Sequence, residues 1–316
     1  MKSKQLLIWF FVPAAVLVVL RTVEQAALIS ADSGFYKDGY EAAGYAVLGI
    51  TLAAMLVMLV FGRSRRIYPV AAPVKSRPMF IMSLVMAVAV VVDIFMTMLS
   101  GEFYSAVILG ASTGLLFYLY LLYIAFGVLS LLFFLYYAYA QWRGAQPSGL
   151  APAAVIIMTA LRLAITFTEH SGIANISDNI NNTAMLCFLL AFWFFHGRMI
   201  ADAEYPRAVR WAYGFGLCAA VYCLVCTLPY YLLIFTGNSG LLHQTELPSP
   251  LLIASAVYII VFLHSAFAGG AEDISRIKRR YRDEQRQEEN DVNIGSVLPD
   301  NNETTSKVDE IYNDII

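Results

Sequence analysis

Charge is scarce in this chain, and so are the patterns that known enzymes carry. Only 14% of its 316 residues are Asp, Glu, Lys or Arg, while 59% are hydrophobic. A soluble globular domain has nearer ~45 to 50% apolar residues, so that class is excluded. There is no HExxH, no pair of intramembrane aspartates, no GxSxG and no glycine-rich phosphate loop, which leaves the common hydrolytic and nucleotide-dependent chemistries without support. Four histidines are too widely separated to make a metal site, and read as interfacial or packed side chains. The four cysteines, Cys187, Cys218, Cys223 and Cys226, all fall inside apolar segments and supply no disulfide framework. No cofactor signature is present, and no connecting stretch is long enough for a nucleic-acid module, a receptor head or a soluble catalytic domain.

What is present is length in apolar runs. Segments of about 20 apolar residues cross ~30 Å of hydrocarbon as helix. Eight occur, near 5–28, 41–62, 79–100, 113–142, 151–170, 182–201, 208–236 and 251–269. The first resembles a signal peptide in its MKSK start, but its apolar run extends to about Ile29 without a small-residue cleavage site, so it reads as a retained span. The expected fold class is an all-α, polytopic helix bundle with eight transmembrane helices. Eighteen of the 21 basic residues lie in MKSK, in alternate connections and in the stretch after Gly270; of the other connections, only the one with Lys37 has a basic residue. The positive-inside rule then places both termini in the cytoplasm, with the plasma membrane as the expected location.

Several features refine this picture. The fourth segment is long and aromatic, with Tyr118, Tyr120, Tyr123, Tyr136, Tyr137, Tyr139 and Trp142, a composition suited to anchoring at the interface. Pro13 and Pro229 are candidate kinks in the first and seventh. LRTVEQAALISADSG and LRLAITFTEHSG share a Leu-Arg, later acidic residues and a Ser-Gly turn, a weak echo that suggests a 4+4 repeat. Residues 271–290 read as a basic amphipathic juxtamembrane helix, and 291–316 as a disordered, acidic cytoplasmic tail. The sequons at Asn175, Asn181 and Asn302 read as incidental, since the last lies in that tail.

Charge inside the spans is the lead to function, because an ionisable group at bilayer depth is costly unless partnered or solvated. Thr159, Arg162, Thr166 and Glu169 are spaced by 3, 4 and 3, so they form one narrow helical stripe. Asp93, Thr97 and Ser100 form a second, and Arg21 with Glu24 and Gln25 a third. All three rise from mid-membrane toward the outer side. In one reading the charges pair with each other and fix helix register. In the other, the same residues line an outward-facing pocket for an anionic or zwitterionic small molecule, most plausibly for transport. The alternative from another class is a non-enzymatic sensor or scaffold subunit. It would act through membrane or cytoplasmic protein partners that meet the tail.

Overall fold

The computed structural model describes residues 3–104, 114–170, 177–242 and 248–297. Its helices are α1 (Ser3–Val23), α2 (Glu41–Arg63), α3 (Arg77–Leu99), the single turn α4 (Gly101–Phe103), α5 (Gly114–Arg143), α6 (Ala153–His170), α7 (Ser177–Ile200), α8 (Tyr205–Phe235), α9 (Pro250–Ala268) and α10 (Ile274–Val297). Among the described residues, seven are long and apolar enough to cross a membrane: α1 with its continuation, α2, α3, α5, α7, α8 and α9. The stretch expected as the fifth span is α6, the shortest of the long helices. It stands outside those seven, and its 18 residues include Arg162 and Glu169.

Local chemistry explains the helix ends. Ser76 accepts a hydrogen bond from the Met79 amide at the start of α3, and Ser249 does the same for Leu251 at the start of α9. Each is followed by proline in the first turn, where a missing N–H costs nothing. α1 passes into a π-helical segment, Glu24–Leu28, whose widened turn carries Glu24 and Gln25 into the protein.

Helix packing gives a ring. α3 packs on α5, α5 on α6, α6 on α7, α7 on α8, α8 on α9, and α9 back on α3, while α1 and α2 lie against the far side of α8. α8 is therefore shared by both layers, and it is buried along most of its length. Small residues make that possible: a Cβ added at Gly62 of α2 would lie 2.8 Å from the Gly214 Cα, so the two backbones touch there. The outward faces of α2 and α5 instead expose Leu56, Val57, Val60, Leu121, Leu129 and Leu132, as suits a lipid-facing surface.

A two-stranded antiparallel sheet was not foreseen from the sequence. β1 (Ile67–Pro69) pairs with β2 (Ala271–Asp273), matching Tyr68 with Glu272, and ties the connection before α3 to the segment after α9. Gly270, just before β2, has φ 123°, a conformation disfavoured for residues with a Cβ, and its carbonyl accepts from the Val70 amide at 3.1 Å. Beyond Asp273 the chain forms a separate unit. Its helix α10 runs to Val297, past residue 290, where the sequence reading ends it. The rest of the proposed tail, 298–316, lies outside the described residues.

Candidate functional site

The eight residues singled out from the sequence divide between two places. Arg21 and Glu24 sit in the seam between α1 and α7. Asp93, Thr97, Thr159, Arg162, Thr166 and Glu169 all line a cavity of about 710 Å³ inside the six-helix ring.

The seam is closed. Arg21 is 3% exposed; its Nη1 lies 2.7 Å from Glu24 Oε2 and donates to Ser177 Oγ at 2.8 Å, while Nη2 pairs with Asp178. The second Glu24 oxygen accepts from the Tyr36 hydroxyl at 2.8 Å and from Ser177 Oγ at 3.0 Å. Asn181 donates to the Ser177 carbonyl and accepts from the Tyr222 hydroxyl at 2.8 Å. Burial, above all, raises the pKa of the Tyr36 phenol, which lies in the connection after α1. Both Glu24 oxygens and Oδ1 of Asp178 therefore have a donor. Asp178, Ser177 and Tyr36 were missed as partners because two of them begin α7 and the third lies in a connection. Asn181, the middle sequon, is buried in this network, which agrees with its incidental reading; Asn175 and Asn302 lie outside the described residues.

The cavity is arranged differently. Asp93 is 2% exposed; its carboxylate accepts from the Tyr123 hydroxyl and stands 3.7 Å from Arg162 Nη1. The same Nη1 reaches Thr97 Oγ1 at 3.3 Å and the Tyr123 hydroxyl at 3.4 Å. The Arg162 side chain remains 36% exposed, and among the described residues its polar contacts all run through that one nitrogen. Its guanidinium carbon lies 5.6 Å from the centre of the Tyr123 ring. Further along α6, Glu169 accepts from the Tyr120 hydroxyl. The Thr159 hydroxyl donates back to the Val155 carbonyl, so its proton is used within its own helix.

Tyr120 and Tyr123 line the cavity and bond its two carboxylates, whereas from the sequence the aromatic residues of this helix read as interfacial anchors. Tyr118, Tyr136, Tyr139 and Trp142 are exposed, as an anchoring role requires, but Tyr120, Tyr123 and Tyr137 are buried. The signal was available in spacing: Tyr120, Tyr123, Gly127, Ser130, Phe134 and Tyr137 repeat every three or four residues and form the buried face of α5.

Toward the arginine-rich end, the lining becomes apolar with Met86, Val90, Val155, Met158 and Leu189, and aromatic with Phe134 and Trp193. Phe134, Trp193 and Tyr258 pack with ring centres 5.4 to 5.8 Å apart beneath it. His196 lies behind them, fully buried, with Nε2 3.1 Å from the Tyr258 hydroxyl. Cys223 and Cys226 have Cys-x-x-Cys spacing in α8, but both are free thiols, and Cys226 borders the cavity. Among the described residues no group of three or more His, Cys, Asp or Glu side chains could hold a metal.

The 4+4 repeat suggested by the Leu-Arg echo is not confirmed by the ion pairs of Arg21 and Arg162. A four-span duplication would exchange α3 and α5, the partners of Arg162, for α8 and α9 around Arg21, whereas the inter-helix ion pair of Arg21 is to α7. The helices divide as a ring of six with two outside it. No family model, no curated protein and no solved structure matches the chain.

Proposed function

We propose that this multi-pass membrane protein binds a small molecule in the cavity of the six-helix ring, with an anionic group of the ligand on Arg162, for uptake or export across the membrane. The observation that carries this reading is the half-used guanidinium. A purely structural arginine at this depth would be enclosed by acceptors, as Arg21 is. Arg162 instead makes long contacts through Nη1 and keeps its remaining donors toward open volume. That edge matches the two oxygens of a carboxylate or a phosphate.

In the same reading α6 crosses the membrane as an eighth span, both termini are cytoplasmic, and the arginine-poor end, where Glu169 and Ser100 lie, faces outward at the plasma membrane. The cavity then opens toward the outside. The test is cysteine substitution at Thr166 and Thr97 in a cysteine-free background, followed by an impermeant thiol reagent applied from outside. Labelling of both that is slowed by ligand is expected. No labelling under any condition sinks the reading. Deleting residues 291–316 should leave ligand binding intact, whereas a sensor or scaffold acting through the tail would lose its function.

A further inference from the structure

The cavity differs on the two sides of Arg162. α3 and α6 start at the arginine-rich end, and α5 and α7 finish there in Arg143 and Arg198. On that side these four helices present Met86, Val90, Phe134, Met158, Leu189 and Trp193 to the cavity. Of the lining residues they place there, only Thr159 is polar, and its hydroxyl is spent on the Val155 carbonyl. On the other side of Arg162 the lining carries the hydroxyls of Thr97, Ser100, Thr166 and Ser249 and the amide of Asn182. Arg162 therefore stands at the boundary between an apolar well and a polar mouth.

The well has a depth and a floor. Met86 precedes Asp93 by seven residues and Val155 precedes Arg162 by seven, which is about 10 Å of helix in each case. At the bottom the rings of Phe134, Trp193 and Tyr258 are all buried and touch one another, with centres 5.4 to 5.8 Å apart. Behind them His196 packs on Phe262 with centres 4.5 Å apart, so aromatic packing closes this end. A compact anion on Arg162 would leave the well to water that finds almost no polar partner there. An apolar group attached to the anion fills it instead, and each methylene buried strengthens binding by about threefold to fourfold. The whole cavity, about 710 Å³, is the size that encloses one such molecule.

We propose that the ligand is an amphiphilic organic anion of limited length, with its carboxylate or phosphate on Arg162 and an alkyl or aryl group of up to ~10 Å reaching down to the floor of Phe134 and Trp193. This rests on Arg162 receiving an anion, as proposed above. A closed floor favours a soluble anion of this kind over the long acyl chain of a membrane lipid.

The test titrates the full chain in lipid nanodiscs, with empty nanodiscs as the blank, against acetate, butyrate, hexanoate, octanoate and dodecanoate at neutral pH, and against octanamide. Affinity is expected to rise about threefold to fourfold per methylene as far as octanoate, and dodecanoate, too long for the well, should bind no tighter. Octanamide, which lacks the charge, should bind about tenfold or more weaker than octanoate. Arg162→Ala should remove that difference and keep the dependence on length. Two variants of the well should move the length limit in opposite directions: Leu189→Phe toward shorter chains, and Phe134→Ala toward dodecanoate. Equal affinity for acetate and octanoate overturns the apolar group and leaves an Arg162 anion site standing. Equal affinity for octanamide and octanoate overturns the anion, here and in the reading above. Affinity that keeps rising to dodecanoate in the unaltered protein overturns the closed well and points to a lipid acyl chain. If no alkanoate binds, the amphiphile is overturned, and whether inorganic phosphate slows the labelling of Thr166→Cys from outside then decides whether the anion site falls with it.

Discussion

Two sites in this protein have the same charges and opposite character. Each holds one arginine and two carboxylates within the helices: Arg21 with Glu24 and Asp178 in the seam, and Arg162 with Asp93 and Glu169 along the cavity lining. Around Arg21 the gaps are filled by Ser177, Tyr36 and Asn181, and hydrogen bonds occupy both of its terminal nitrogens. Around Arg162 one nitrogen makes loose contacts and the rest of the group borders 710 Å³ of open volume. The difference teaches that a buried arginine is not by itself a sign of function. What distinguishes a binding group from a structural one is whether the surrounding side chains use up its donors.

Removing a partner from the closed site should have the largest effect. Asp178→Ala leaves Arg21 without its inter-helix counter-ion in a site where burial prevents rescue by water, and is expected to cost about 3 to 5 kcal/mol. Thermal melting of the purified protein would measure it. If this variant melts like the wild type, the closed site is not the anchor described. Arg162→Ala, by contrast, should cost less, because the Arg162 side chain is partly exposed, stands 3.7 Å from Asp93, and leaves Asp93 its bond to Tyr123. Its loss should appear in ligand binding instead. A stability cost equal to that of Asp178→Ala would erase the contrast.

Accessibility sharpens the same comparison without disturbing charge. In a cysteine-free background, Thr166→Cys should react with an impermeant thiol reagent and Ser177→Cys should not. Equal reactivity of the two would mean that the sites do not differ in openness. The smallest effect expected is at Tyr36. Burial, above all, holds its phenol above the usual pKa of about 10, so the stability it lends is complete below about pH 10 and declines as the pH rises toward the raised value. Tyr36→Phe should cost about 1 kcal/mol at neutral pH through the lost bond to Glu24, and should flatten that alkaline decline. Melting curves from about pH 8 to about pH 11 would check both.

Much of the cavity lining was legible in the sequence. The stripe from Thr159 to Glu169 on α6 and the pair Asp93 and Thr97 on α3 follow from helical spacing, and all six line one cavity. Arg21 was legible as a buried charge but not as a closed one, because its partners come from α7 and from the connection before α2. Tyr120 and Tyr123 were hidden among seven tyrosine and tryptophan residues in α5 whose composition alone suits a lipid interface. The β1 and β2 pairing was hidden as well, since three-residue strands carry no usable alternation.

The sequence by itself determined that the chain is a bundle of apolar helices and which side chains bring charge into it. Both follow from local rules: the cost of an unpaired backbone in hydrocarbon enforces helix, and a period of about 3.6 residues assigns faces. Only the tertiary structure decided that six helices form a ring with two outside it, and that the cavity falls to Arg162 while Arg21 is sealed. Helices of similar apolarity can pack in many orders, and the order is chosen by small-residue contacts such as Gly62 with Gly214 and by ion pairs such as Arg21 with Asp178, whose partners are remote along the chain.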